Sequence, residues 1–331
     1  MLHLHNGESS AGTLRQSVIQ GEHFAFRDAL IDGPAPASLA NDVWRTMRAQ
    51  HLSDAYGVEV DQATRDLLRQ EEMLASFPAH EEVVLWFEHD LFCQVNLIYL
   101  LHWFARCDLG KTKLSLICIG EFPGKENFRG LGELDVEQLA SLLESRHEVT
   151  AAELRLATDT WEAYCSANPT AIEDLLHQDT SALPFLRAAL QSHLARFPSV
   201  SNGLGHIEQR TLELIQSGVK EFGRLFPKFI DSEPVYGLGD FQFWLALKQL
   251  GDARTPLLTI TGDGQLDQPL SSRNLPGTSF EITETGHAVM TGQADFVALN
   301  GINRWLGGVH LSGSNTPWRW DELNQRLVET N

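Results

Sequence analysis

The sequence predicts an α/β protein whose N-terminal part is built on a parallel sheet. Three observations carry that reading. Strand-like and helix-like segments alternate from residue 2 to about residue 120. Two of the strand segments are apolar on both faces, as strands covered on both sides must be. Polar residues collect just after each strand rather than within it.

The elements follow in order. Residues 2–5 alternate like a strand, Asn6-Gly7-Glu8-Ser9-Ser10 reads as a turn with capping residues, and 11–19 has helical spacing. Residues 22–27 read as a second strand that ends at Arg27-Asp28, followed by the turn Asp32-Gly33-Pro34 and a helical stretch over 38–77. Residues 81–87 form a third strand with the run Val83-Val84-Leu85-Trp86-Phe87, and an apolar helix over 90–105 follows. A fourth strand over 113–120 ends in Gly120-Glu121-Phe122-Pro123-Gly124. The alternation predicts a Rossmann-like domain over 1–130.

From 131 to 200 only helical patterns are visible, at 136–145, 151–166, 170–177 and 183–197, which predicts a helical connector. In 201–331, helices at 206–215, 222–230 and 240–250 precede strands at 256–261 and 278–283, a polar loop between them, and a short helix at 284–290. Three helices and a hairpin make a winged-helix-like order, followed by a C-terminal tail.

Bulk properties narrow the function classes. The chain has 331 residues, 43% of them hydrophobic, and that length exceeds the roughly 100 to 150 residues typical of one domain. The formal net charge of −19 opposes a phosphate backbone, so nucleic acid is disfavoured as a partner. No apolar run is long enough to span a bilayer, and Met1 to His5 carries no basic leader, so a cytoplasmic protein is expected. The four cysteines show no metal-ligand spacing and are expected to be buried thiols.

The opening LHLHNGESSAGTLRQS, the phrase FRDALIDGPAP and the phrase VVLWFEHDLFCQVNLIYLL carry a resemblance. In them the chain resembles the bacterial family called "domain of unknown function 1835", at Asn6, Glu8, Ser9, Arg27, Asp28, Gly33, Pro34, Asp90 and Gln94. The C-terminal phrase DFVALNGINRWLGGVHL is similar to full-length members. Glu8 stands where many relatives carry aspartate, which keeps the carboxylate and lengthens its reach. The resemblance implies the fold and the positions and leaves the chemistry open.

In an open parallel sheet, ligands bind beyond the carboxyl ends of the strands. Asn6, Glu8, Ser9 and Ser10 follow the first strand, Arg27 and Asp28 the second, Glu88, His89, Asp90 and Gln94 the third, and Glu121 and Gly124 the fourth. Asp28, Glu88, His89 and Asp90 are the candidate catalytic residues. Asn6, Glu8, Ser9, Arg27 and Gln94 are the candidate ligand contacts, joined by Arg304 and His310 as a lid from the C-terminal segment. Carboxylates suit a divalent metal, with Asp28, Glu88 and Asp90 as ligands. Arg27 offers a planar fork to an anion, and the start of the first helix offers backbone N–H groups.

Each residue also has a purely structural reading. Ser9 and Ser10 suit a helix cap, Asp90 an N-cap with Gln94 facing outward, Arg27 and Asp28 an ion pair, and Trp305 a packing contact beside glycine turns. Neither GxGxxG after the first strand nor GxxxxGK[ST] occurs, which removes ordinary dinucleotide and P-loop chemistry.

The sequence thus predicts a protein that binds or transforms a phosphorylated or nucleotide-like small molecule. One alternative is a ligand-sensing regulator whose winged-helix-like half contacts protein or DNA. The other is a serine hydrolase using Ser9.

Overall fold

The computed structural model describes residues 1–262 and 277–330. Five strands, β1 (Leu2–Asn6), β2 (Glu22–Phe26), β3 (Glu82–Glu88), β4 (Lys113–Ile119) and β5 (His147–Glu148), form one sheet in the order β2-β1-β3-β4-β5. The first four are parallel and β5 runs antiparallel to β4. The chain leaves β1 for β2 on one side and then returns to lay β3 on the other. The strand order therefore reverses between β1 and β3, and at such a point the flanking loops diverge and open a crevice at the carboxyl edge.

The strands are buried on both faces, which explains their near-continuous apolar runs. Val83, Leu85 and Phe87 join Leu2 and Leu4 in the larger core, while Val84 and Trp86 face a smaller cluster with Leu14, Ile117 and Leu139. Each of these five β3 side chains is at most 1% exposed, a burial worth about 1.5 to 3 kcal/mol per large side chain. β1 breaks the apolar rule with His3 and His5 on the smaller face, both fully buried. Their ring nitrogens are hydrogen-bonded: Trp86 Nε1 donates to His3 Nδ1 at 3.1 Å, and His5 bonds Ser10 Oγ and His23 Nδ1, each at 3.2 Å.

Helix α1 (Glu8–Leu14) starts three residues earlier than expected and ends earlier too. The Gly7 N–H bonds to the carbonyls of His5 and Phe26, and this turns the chain into the helix at once. Ser9 and Ser10 consequently lie inside the first turn, and neither caps it. The helical stretch expected over 38–77 is a pair, α2 (Asn41–Tyr56) and α3 (Val60–Ala75), broken at residues 57–59. Helix α4 (Leu91–Ala105) links β3 to β4 and packs its apolar side chains into the larger core.

After β4 come α5 (Val136–Ser141), which covers the smaller face, then β5, α6 (Ala151–Cys165), α7 (Thr170–Leu176) and α8 (Leu186–Leu194). Residues 131–200 thus contribute an edge strand as well as helices. Helices α9 (His206–Gln216), α10 (Phe222–Ser232) and α11 (Asp240–Gly251) precede the antiparallel pair β6 (Leu258–Thr261) and β7 (Ser279–Ile282) and then α12 (Glu284–Met290). The polar loop between those strands lies largely outside the described residues. Helix α13 (Phe296–Asn300) is followed by two hairpins, β8 (Ile302–Leu306) with β9 (Val309–Gly313), and β10 (Trp318–Asp321) with β11 (Arg326–Glu329). The expected tail is therefore folded, with Gly307-Gly308 as the tight turn between β8 and β9.

One hydrophobic cluster joins all of these parts. It holds Leu4 and Leu85 from the sheet, Leu97 from α4, Ala157 and Leu190 from α6 and α8, Phe229 and Phe243 from α10 and α11, and Leu311 from β9. Among the described residues no helix is long and apolar enough to cross a membrane.

Candidate functional site at the carboxyl edge of the sheet

Asn6 ends β1 and Glu88 ends β3, so the two flank the point where the strand order reverses. Asp90 follows as the N-cap of α4, and its Oδ1 accepts the Cys93 N–H at 2.7 Å. One ligand atom from each of Glu88, Asp90 and Cys93 lies within 4.8 Å of the others. Asn6 Nδ2 donates to Cys93 Sγ at 2.8 Å, and Asn96 Nδ2 donates to Asn6 Oδ1 at 2.7 Å and to the Asp28 carbonyl at 3.0 Å. Gln94 is 1% exposed rather than outward-facing, since its Nε2 donates to the Glu88 carbonyl at 2.8 Å and to Cys118 Sγ at 3.4 Å.

Two glycines let the rest of the chain close on this edge. Gly130 lies against the Glu88 carboxylate, which accepts the Leu131 N–H, and a Cβ at 130 would overlap it. Gly237, with φ +61°, sits on Asp90, and a Cβ there would overlap the carboxylate. Asp90 is 4% exposed, whereas Glu88 and Asn6 are half-buried.

Electrostatically the trio is under stress. Among the described residues no cationic side chain pairs with Glu88 or Asp90. Burial, and then the charge of Glu88, pushes the Asp90 carboxyl well above the ordinary carboxylate range. Burial also raises Glu88, and burial with the two neighbouring carboxylates raises the Cys93 thiol. A cation placed among them would offset this repulsion between like charges.

Asp28 does not join the trio. It is 3% exposed, and its carboxylate is held by Arg48, which is fully buried one helix away on α2. Arg48 Nη2 meets Asp28 Oδ1 at 2.6 Å and also donates to the Ala29 carbonyl, while Nη1 donates to the carbonyls of Asp32 and Pro34. The guanidinium thereby stitches the turn after β2 to α2. Of the candidate ligands Asp28, Glu88 and Asp90, Asp28 is thus paired with Arg48 instead of meeting the other two, and the third ligand-capable atom beside Glu88 and Asp90 belongs to Cys93.

Arg27 and Asp28 do not pair with each other, so the structural reading that joined them does not hold. Arg27 is largely exposed and pairs with Glu8 at 2.7 Å, while Glu8 also takes Arg15. Hydrogen bonds from Arg15 first and then Arg27 hold the Glu8 carboxyl below its usual range. Ser9 is exposed, and among the described residues no histidine bonds it; the hydroxyl that meets a histidine is that of Ser10. His89 packs between Phe128 and Phe185, its Nδ1 is buried without a partner, and burial lowers its pKa. Glu121 and Gly124 are exposed on the rim.

Arg304 and His310 sit on the β8–β9 hairpin, against the turn after β2, where the Ala35 N–H bonds the Gly307 carbonyl at 2.9 Å. Arg304 pairs with Glu208 at 2.5 Å and borders a cavity of about 650 Å³ together with Asp32, Tyr56 and Trp305. His310 is exposed, stacks on Trp305 at 4.4 Å and bonds Asn303 at 2.8 Å.

Sequence reasoning therefore missed Cys93, Asn96, Arg48 and Gly237. A signal existed for the first two: Cys93 and Gln94, three and four residues after Asp90, share its face, and Asn96 follows three residues after Cys93, all in the first turns of a largely apolar helix. No family model and no curated protein matches the chain.

Proposed function

We propose that the protein binds, and acts upon, a phosphorylated or nucleotide-like small molecule at the carboxyl edge between β1 and β3, with a divalent metal held by Glu88 and Asp90 joining the ligand to the chain. The observation that supports this reading is the meeting of Glu88, Asp90, Cys93 and Gln94 from the β3–α4 junction with Asn6 from the end of β1, at the point where the strand order of the parallel sheet reverses. A phosphate alone would be repelled by two carboxylates. A bridging cation removes that conflict and leaves coordination positions for phosphate oxygens. Asn6 orients the site, and the Arg48–Asp28 pair fixes the neighbouring loop. Arg27, turned toward Glu8, is the residue that could swing to an anion, because it is exposed and among the described residues its side chain is held by one surface pair.

The resemblance to the "domain of unknown function 1835" family is part of this proposal, since Asn6, Asp28, Asp90 and Gln94 are among the residues that carry it and all four belong to this edge. The winged-helix-like half is read as a covering and protein-contacting part. Helix α11 buries Phe243, Trp244 and Leu247, and its one lysine, Lys248, pairs with Asp252. That arrangement leaves little for a nucleic acid to meet.

A thermal-shift screen of nucleotides and sugar phosphates, each with and without Mg²⁺, Mn²⁺ or Zn²⁺, tests the reading. A metal-dependent stabilisation that disappears in Asp90→Asn is expected. A panel without any stabilising compound would overturn it.

A further inference from the structure

We infer that the cation at this edge is a borderline transition ion of the zinc type, held by Glu88, Asp90 and the thiolate of Cys93, rather than a hard ion such as Mg²⁺ held by carboxylates alone. The inference rests on the metal-bridged reading above and goes further by naming the third ligand and the class of ion.

Geometry is the first argument. A tetrahedral ion with bonds of about 2.0 to 2.3 Å sets its ligand atoms roughly 3.3 to 3.8 Å apart. The three ligand atoms already lie within 4.8 Å of one another, so side-chain adjustments of about an ångström close the site. Three protein ligands leave the fourth position for water or a ligand oxygen, as in zinc sites that do chemistry.

The second argument is the shell around the ligands. Metal-bound side chains are held in place by hydrogen bonds from behind. Here each residue of the trio already has one: Leu131 N–H to the Glu88 carboxylate, Cys93 N–H to Asp90 Oδ1, and Asn6 Nδ2 to Cys93 Sγ. An amide N–H on sulfur stabilises a thiolate more than a thiol. Asn6 is in turn fixed by Asn96, which is fully buried on the same helix face as Cys93 and leaves its own Oδ1 without a partner.

The third argument is ligand softness. Sulfur selects zinc-like and copper-like ions over magnesium and calcium, which take oxygen. Cys93 is fully buried and no disulfide engages it, so its sulfur is reserved for this interior. Binding releases the proton from Cys93 and any carried by the carboxyls, and the ion takes the vacated lone pairs.

Cobalt(II) titrated into the full chain after chelator treatment gives a readout that needs no known substrate. Thiolate coordination produces an intense near-ultraviolet charge-transfer band, and one equivalent of Zn²⁺ should abolish it. Cys93→Ser, which keeps the shape, should lose the band and bind Zn²⁺ at least 10-fold more weakly, and Asn6→Ala should weaken Zn²⁺ by about 10- to 100-fold. The wild-type spectrum itself guards against a variant that misfolds. Co²⁺ bound without the band, or Zn²⁺ affinity unchanged in Cys93→Ser, would overturn the inference while leaving a carboxylate-held metal intact. Failure of every divalent ion to bind would remove this inference and the metal-bridged function together.

Discussion

Replacing Asp28 by asparagine should cost about 3 to 5 kcal/mol of stability, the range for breaking a buried ion pair from one side. The magnitude follows from what Arg48 would be left with. Its side chain is fully buried, and among the described residues Asp28 is the one anion it meets, through Nε at 3.2 Å and Nη2 at 2.6 Å to Oδ1. Asparagine keeps the shape and removes the charge, so a guanidinium remains in the interior with only the carbonyls of Ala29, Asp32 and Pro34. Urea unfolding with unchanged slope should show the midpoint falling by roughly 1 to 2 M. Arg48→Met should cost a similar amount, because it strands the carboxylate instead. The double variant Asp28→Asn/Arg48→Met should cost less than the two single losses added, since no charge is left unpaired. A loss below about 1 kcal/mol in Asp28→Asn, or strict additivity in the cycle, would refute the assignment of Asp28 to the fold rather than to the ion.

Further outcomes follow from the same geometry. His3, with its pKa pushed down to about 4, and His5 and His23, also lowered by burial, are neutral in the folded chain and take up protons more readily when unfolded. Stability should be full above about pH 6.5 and fall as the pH drops from there toward 4, by about 3 kcal/mol from His3 alone, and urea midpoints that stay flat over this window would contradict it. Gly237→Ala should cost about 1 to 2 kcal/mol for its left-handed backbone alone and should also weaken metal binding by displacing Asp90; calorimetry showing wild-type stability would count against that contact. The native chain should resist a fluorophosphonate probe, because among the described residues Ser9 has no histidine partner, and labelling at Ser9 detected by mass spectrometry would revive hydrolase chemistry.

The sheet was legible because its strands obey simple rules. The run from Val83 to Phe87 is apolar on both faces, and only a doubly covered parallel strand makes sense of that. The residues at the strand ends were legible for the same reason, since polarity resumes where burial stops. Less visible were features set by contacts distant in sequence. Arg48 looks like any cation on an amphipathic helix until Asp28 is brought beneath it, and Gly237 is one glycine among 26 until Asp90 is seen behind it. The two-residue strand β5 is too short to leave a pattern. Ser9 and Ser10 misled because capping residues mark a helix start only when no earlier turn takes the role, and here Gly7 took it. Gly307-Gly308 between two alternating segments was a hairpin signal that the density of aromatic residues around Trp305 obscured.

On the proposed reading, Glu88 and Asp90 together hold a cation at the edge between β1 and β3. Isothermal titration of Zn²⁺ into wild type and into Asp90→Asn tests it most directly. One ion per chain in the wild type and none at the same concentrations in Asp90→Asn is the predicted result. Equal stoichiometry and affinity in the two proteins would contradict it.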